Sequence, residues 1–205
     1  GLVTRTVDGR VVPKIAEDWK AISDTEYIFK IRAGIEFHNG DTLTADDVVF
    51  SFDRVIRDGA IGGRTSPRKG LLGPLTSVEK VDDHTVWLKL AVLFPVLLQA
   101  LVHVQVVPRN YLMRVGDDEF ARRPVGCGPF KFVEGRLDDK VVMDRFDGYY
   151  GGSPDLPPVG PARVKRVIFR MMPDPTVRVA ALKTGEVHII QSVPAHLAAS
   201  LARDR

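Results

Sequence analysis

Residues 15–55 read IAEDWKAISDTEYIFKIRAGIEFHNGDTLTADDVVFSFDRV, and the order of elements in this stretch decides the fold. Its middle, residues 27–32, alternates Tyr27, Phe29 and Ile31 against Ile28, Lys30 and Arg32, the period of two that a half-buried strand requires. The Asn39-Gly40 pair is a turn signal, expected to close the partner edge of that strand. Residues 44–57 predict a helix. Thr44 can cap it, Asp46 and Asp47 put negative charge in the first turn, and Val48, Val49, Phe52, Val55 and Ile56 make one apolar face. Gly59 is its stop. Ahead of the strand, Pro13 is followed by what reads as a short helical turn ending at Trp19.

Working outward, Asp8-Gly9 is a turn between two short apolar pieces. Residues 78–81 and 85–90 read as a hairpin joined through Asp82-Asp83-His84, with Val86, Leu88 and Leu90 on one face, and a short apolar helix is expected after Pro95. Residues 124–130, PVGCGPF, hold two glycines and two prolines and cannot be a regular helix or a central strand; they mark the return of the chain from one subdomain to another. Strands are expected at 130–133, 140–145 and 164–171, with residues 153–162 as a rigid surface connection. Asp174 as cap, Pro175 as first residue and Gly185 as stop bracket a helix holding Val177, Ala181 and Leu182. A strand at 187–190 and a last short helix near 194–201 complete the pattern.

At 205 residues with 44% hydrophobic composition, the chain can build one or two small domains with real cores. Its longest apolar run, 91–107, is broken by Pro95, Gln99, His103 and Gln105, short of the roughly 20 apolar residues a bilayer span needs. The N-terminus carries no initiator Met, basic n-region or cleavage site, so any targeting peptide is expected outside this chain. A net charge of +3 implies no nucleic-acid partner. The densest basic segment, residues 62–70, sets Arg64, Arg68 and Lys69 among Gly, Ser and Pro without an interleaved aromatic, which fits a solvated loop better than an anion site. The single cysteine, Cys127, has no internal disulfide partner.

Catalytic signatures are missing. There is no GxSxG elbow, Walker A loop, HExxH or cysteine pair, and His38, His84, His103, His188 and His196 are too scattered for a local metal pair. Cys127 reads as a small, semi-buried side chain; as a nucleophile it needs a His or Lys partner. Gly126 and Gly128 match half of a dinucleotide fingerprint, but Pro129 stands where its helix should open. The adjacent pairs Asp46/Asp47, Asp82/Asp83, Asp117/Asp118 and Asp138/Asp139 fit caps and turns rather than acid–base catalysis. Trp19, Tyr149 and Tyr150 fit packing anchors better than cleft aromatics. The expectation is no enzyme, no cofactor and no metal.

AEDW (16–19), IFKIR (28–32), FHNG (37–40), LTADDVVFS (43–51), PVGCGPFKF (124–132), FDGYYGGSPDLPPV (146–159) and AALKTGEVHII (180–190) follow one another in a specific order. In that order the chain resembles the family 5 extracellular solute-binding proteins, the capture subunits of bacterial ABC importers for peptides, nickel and related solutes. The resemblance implies an α/β fold with mixed α+β sheets, of the type II, cluster C periplasmic-binding-protein kind. By it, this chain is lobe I with an inserted subdomain, the second lobe missing. Residues 1–20 are then the first part of the main subdomain, 21–123 the insertion and 124–205 the return. It implies non-covalent capture of a solute, such as a peptide, between two lobes, with permease subunits as partners. The location is periplasmic, or extracellular and membrane-anchored in a Gram-positive host. Leu2, Gly126, Cys127 and Gly128 are the cleft-facing positions it suggests, with Cys127 where the pattern has Thr or Ser. The alternatives are a ligand-sensing domain of a transcription regulator on the same fold and, resting on Cys127 alone, an enzyme.

Overall fold

The alternation around Phe29 becomes a strand with one face in the core: Phe29 and Ile31 are 0% and 1% exposed, while Lys30 lies in solvent. The computed structural model describes residues 1–136, 138–157 and 159–202. Pro158, in the expected rigid connection, and residues 203–205, at the end of the expected return segment, lie outside the described residues. Two compact units divide the chain, Gly1–Val133 with Met143–Val167, and Glu134–Val142 with Ile168–Arg205.

In the first unit, β1 (Val3–Arg5) and β2 (Val11–Pro13) pair antiparallel around Gly9, whose φ of +90° a side chain would strain. Then β3 (Ala16–Ser23), β4 (Glu26–Ile31), β5 (Leu75–Asp82) and β6 (Thr85–Leu90) form an antiparallel sheet in the order β3-β4-β6-β5. The expected hairpin is present, and Val86 and Leu88 are fully buried. Across the sheet packs α1 (Ala45–Ile56), burying Ala45, Val48 and Phe52. At its start the Thr44 N–H donates to Asp47 Oδ2 at 2.9 Å, so the acidic first turn also closes the cap. Three short helices follow, α2 (Leu97–Leu101), α3 (Arg109–Val115) and α4 (Asp117–Arg122). The first is the short apolar helix expected after Pro95; the other two were not expected.

Two local readings are overturned here. Residues 16–19 are the start of β3, not a helical turn. Trp19 stands opposite Phe29 in the ladder, with its ring stacked on the Phe29 ring at 6.1 Å, and pairing to β4 outweighs a local helical tendency. The Asn39-Gly40 turn closes a separate small loop bridged at Glu36 and Thr42, because both edges of β4 are already taken by β3 and β6. The basic segment is partly built in: Lys69 pairs with Asp58 at 2.8 Å, the Arg68 guanidinium donates to the His103 carbonyl, and Lys69–Leu72 forms a 3-10 turn.

A third sheet has the order β7 (Phe130–Gly135), β8 (Lys140–Arg145), β9 (Arg166–Arg170). The second unit holds α5 (Pro175–Lys183) and α6 (Ala195–Leu201). The expected cap of α5 is present: Asp174 Oδ1 accepts the N–H groups of Thr176 and Val177 at 2.6 and 3.0 Å, which holds its carboxyl below the usual range. The expected strand at 187–190 is absent. The Val187 N–H donates to Ala181 O in the turn that ends α5, and Ile189 is 86% exposed, so the segment has neither a ladder nor a face to bury.

Candidate ligand-binding turn

Residues 124–129, with two Gly and two Pro, form no regular structure, so the backbone groups of this segment need partners from elsewhere. His38 supplies three of them. Its N–H donates to Gly126 O at 2.8 Å, its ring Nδ1 accepts the Gly126 N–H at 3.3 Å, and its Nε2 lies 2.9 Å from Gly128 O. A backbone N–H can only donate and a carbonyl can only accept, so the two ring contacts together require Nδ1 bare and Nε2 protonated. Partial burial pushes the imidazole below its ordinary range, with Lys131 adding to the shift and the Gly128 bond opposing it. The Phe146 ring packs edge-on against it at 5.0 Å.

Cys127, between the two clamped glycines, is half-buried and packs against the main core. Burial pushes its thiol up, which favours the protonated, weakly polar form at neutral pH. Beside it, Tyr149 and Tyr150 lie 4.9 Å apart between ring centroids, and both hydroxyls are pushed up, chiefly by burial. A Cβ on Gly152 would sit 2.5 Å from the Tyr149 hydroxyl oxygen, so glycine is what lets that ring lie across the backbone. Ser153 is buried with its hydroxyl unpartnered.

The four suggested cleft positions fare differently. Gly126, Cys127 and Gly128 form one half-buried turn. A Cβ added to Gly128 meets nothing within 4 Å, so that side of the turn faces open space. Leu2 is 0% exposed: its side chain lies in the same core that Cys127 packs on, and its carbonyl accepts the Ala16 N–H at 2.9 Å. His38 was missed as a site residue, because its partners lie 88 and 90 residues away and no local spacing signals them. Elsewhere on this unit an open hollow of about 420 Å³ is lined by Lys131, Asp144, Arg145, Asp147, Lys165 and Arg166. Its Arg145–Asp147 and Arg166–Asp144 pairs, each at 2.6 Å, make it a charged, solvated surface. Among the described residues no group of three or more His, Cys, Asp or Glu could hold a metal ion, and no helix is long and apolar enough to cross a membrane.

The family described as bacterial extracellular solute-binding proteins, family 5 Middle, matches residues 10–205. The chain belongs to this family. It is 30% identical over 200 residues to the dipeptide-binding protein of Escherichia coli K12, an alignment covering 88% of this chain and 36% of that protein. To the oligopeptide-binding protein AppA of Bacillus subtilis it is 33% identical over 176 residues, covering 82% of this chain and 30% of the relative. The structure of AppA with a nonapeptide superposes with a TM-score of 0.82 at 29% identity, over 100% of this chain and 40% of that one. AgaA of A. tumefaciens R10, solved with agropinic acid, superposes with a TM-score of 0.83 at 31% identity, over 99% and 39% of the two chains. The chain thus has the family 5 periplasmic-binding-protein fold and spans about a third of the length of the curated relatives it matches.

Proposed function

We propose that this chain forms one lobe of the solute-capturing component of a bacterial ABC importer, and that the component takes up peptides or similar solutes. The observation that carries the reading is the match over nearly the whole chain to relatives named for dipeptides and oligopeptides. The protein would act by non-covalent closure of two lobes on the solute, since closing two surfaces on a ligand buries most of its area. It would act in the periplasm or outside the cell and hand solute to permease subunits; the word extracellular in the family's description supports that location.

On this reading Gly126, Cys127 and Gly128 line the cleft and Leu2 is the packing behind them. The open side of Gly128 supports this, as does the half-buried setting of the turn. A cysteine where the family pattern has Thr or Ser removes a hydroxyl donor, so the turn would offer shape and backbone groups more than a polar side chain. The protonated thiol favours binding over covalent chemistry. The division into 1–20, 21–123 and 124–205 belongs to the same reading, with its first bound falling inside β3.

Thermal unfolding of this chain and of the full-length gene product, each with the dipeptide Ala-Phe, a nonapeptide and haem, tests the reading. Ligand at a hundred times its Kd adds about 2.7 kcal/mol to whatever folded state binds it. A shift by a peptide in the full-length protein alone is expected. No peptide shift in either, or an equal shift in both, contradicts a peptide receptor that closes two lobes.

A further inference from the structure

We infer that His38 is the positioning residue of the 126–128 turn, a neutral imidazole that holds the turn shut and releases it on taking up a proton. The inference rests on the reading that this turn faces the solute. The geometry is specific: one side chain bridges the N–H of Gly126 and the carbonyl of Gly128, two residues apart, while its own backbone N–H binds the carbonyl of Gly126. Both ring nitrogens are engaged, and only one protonation state satisfies both. Protonation puts a hydrogen on Nδ1, facing the N–H of Gly126, so an acceptor becomes a second donor and that tie is lost.

Of the surroundings only the Gly128 carbonyl, already bonded to Nε2 in the neutral ring, favours the added charge. From β7 the charged group acting on the ring is Lys131, which opposes protonation; from the turn the titratable group is Cys127, a protonated thiol; from the segment after β8 the contact is the Phe146 ring, with Asp147 spent on Arg145. On His38's own loop the Asp41 carboxylate accepts from Asn39 Nδ2 at 2.7 Å. Among the described residues no carboxylate is shown paired to the ring, and the Gly128 carbonyl favours the imidazolium without restoring the Gly126 tie. The clamp therefore loosens as pH falls below the ordinary histidine range, and with it the shape the turn presents to a solute.

Cys127 is the chain's single thiol, so the reaction of this chain with 4,4′-dithiodipyridine is read at this turn, and a rise in its rate reports greater exposure there. Dividing the rate by that of the urea-unfolded chain at the same pH cancels the thiol's own ionisation and leaves the opening constant. In wild type that ratio is expected to rise about tenfold between pH 7.5 and 5, with little dependence on low urea, as local opening requires. His38→Gln, which carries a donor but takes up no proton, should show a ratio independent of pH. His38→Ala should be open at both pH values. A wild-type ratio constant with pH, or a pH dependence that His38→Gln retains, overturns the clamp. A second arm separates it from the site reading: in the full-length protein, Ala-Phe that binds without slowing Cys127 modification contradicts the turn as ligand contact and leaves the pH result standing.

Discussion

Asp47 Oδ1 accepts the backbone N–H of Arg109 at 2.8 Å, one helical turn from Ser51, whose Oγ accepts the N–H of Val107 at 2.9 Å. Both side chains are buried, and Asp47 also takes the Thr44 N–H. Asp47 and Ser51 of LTADDVVFS are thus stitches: on the buried face of α1 they hold the segment that leads into α3. Removing either leaves a part-buried backbone N–H without that partner.

Asp47→Ala, which loses two backbone partners of a carboxylate, is expected to cost about 3 kcal/mol, and Ser51→Ala about 1 kcal/mol. Because the two tie one segment, the double variant should cost less than the sum of the two. Urea unfolding followed by circular dichroism checks both statements.

Phe52 carries α1 onto the sheet and is 0% exposed. Phe52→Ala should lower stability by about 3–5 kcal/mol, the usual range for emptying a buried ring position. Calorimetric unfolding gives the number, and a loss below 1 kcal/mol would place the ring outside the core.

The Arg54–Asp117 pair joins α1 to the start of α4 at 2.6 Å with both side chains under a fifth exposed. Asp117→Ala should cost about 2 kcal/mol, since it strips a hydrogen-bonded partner from a guanidinium that little water reaches. Asp8→Ala, in the exposed Asp8–Arg10 pair, should leave the unfolding midpoint unchanged.

His38 makes stability depend on pH with a definite sign. Its native value lies below the ordinary 6.5, so the folded state prefers the neutral ring. The associated stability is fully present above about pH 6.5, shrinks as pH falls below it, and is gone once pH has passed the lower native value. Wild type should therefore lose more stability than His38→Gln between pH 7.5 and 5, measured as paired urea midpoints so that the carboxylates common to both cancel.

Elements whose signals are local were legible in the sequence. The capped helix at Thr44, the alternation around Phe29, the Asp82-Asp83-His84 hairpin and the Asp174-Pro175 start all depend on neighbours within a few residues. What failed depends on pairing that the local pattern does not show. Residues 16–19 became strand because Trp19 meets Phe29, and 187–190 stayed irregular because α5's last turn takes the Val187 N–H. At the candidate site the sequence picked out the Gly126-Cys127-Gly128 turn by composition. It did not bring His38 to that turn, nor turn Leu2 into the core, since both follow from packing across most of the chain.

The central claim is that the Gly126-to-Gly128 turn forms part of one wall of a solute cleft. Calorimetric titration of full-length Gly128→Phe and wild type with the peptide that stabilises the protein tests it most directly. A side chain at Gly128 enters open space, so the variant should keep its melting temperature while losing at least about tenfold in affinity, about 1.4 kcal/mol. Unchanged affinity at an unchanged melting temperature would contradict the account and move the solute site away from this turn.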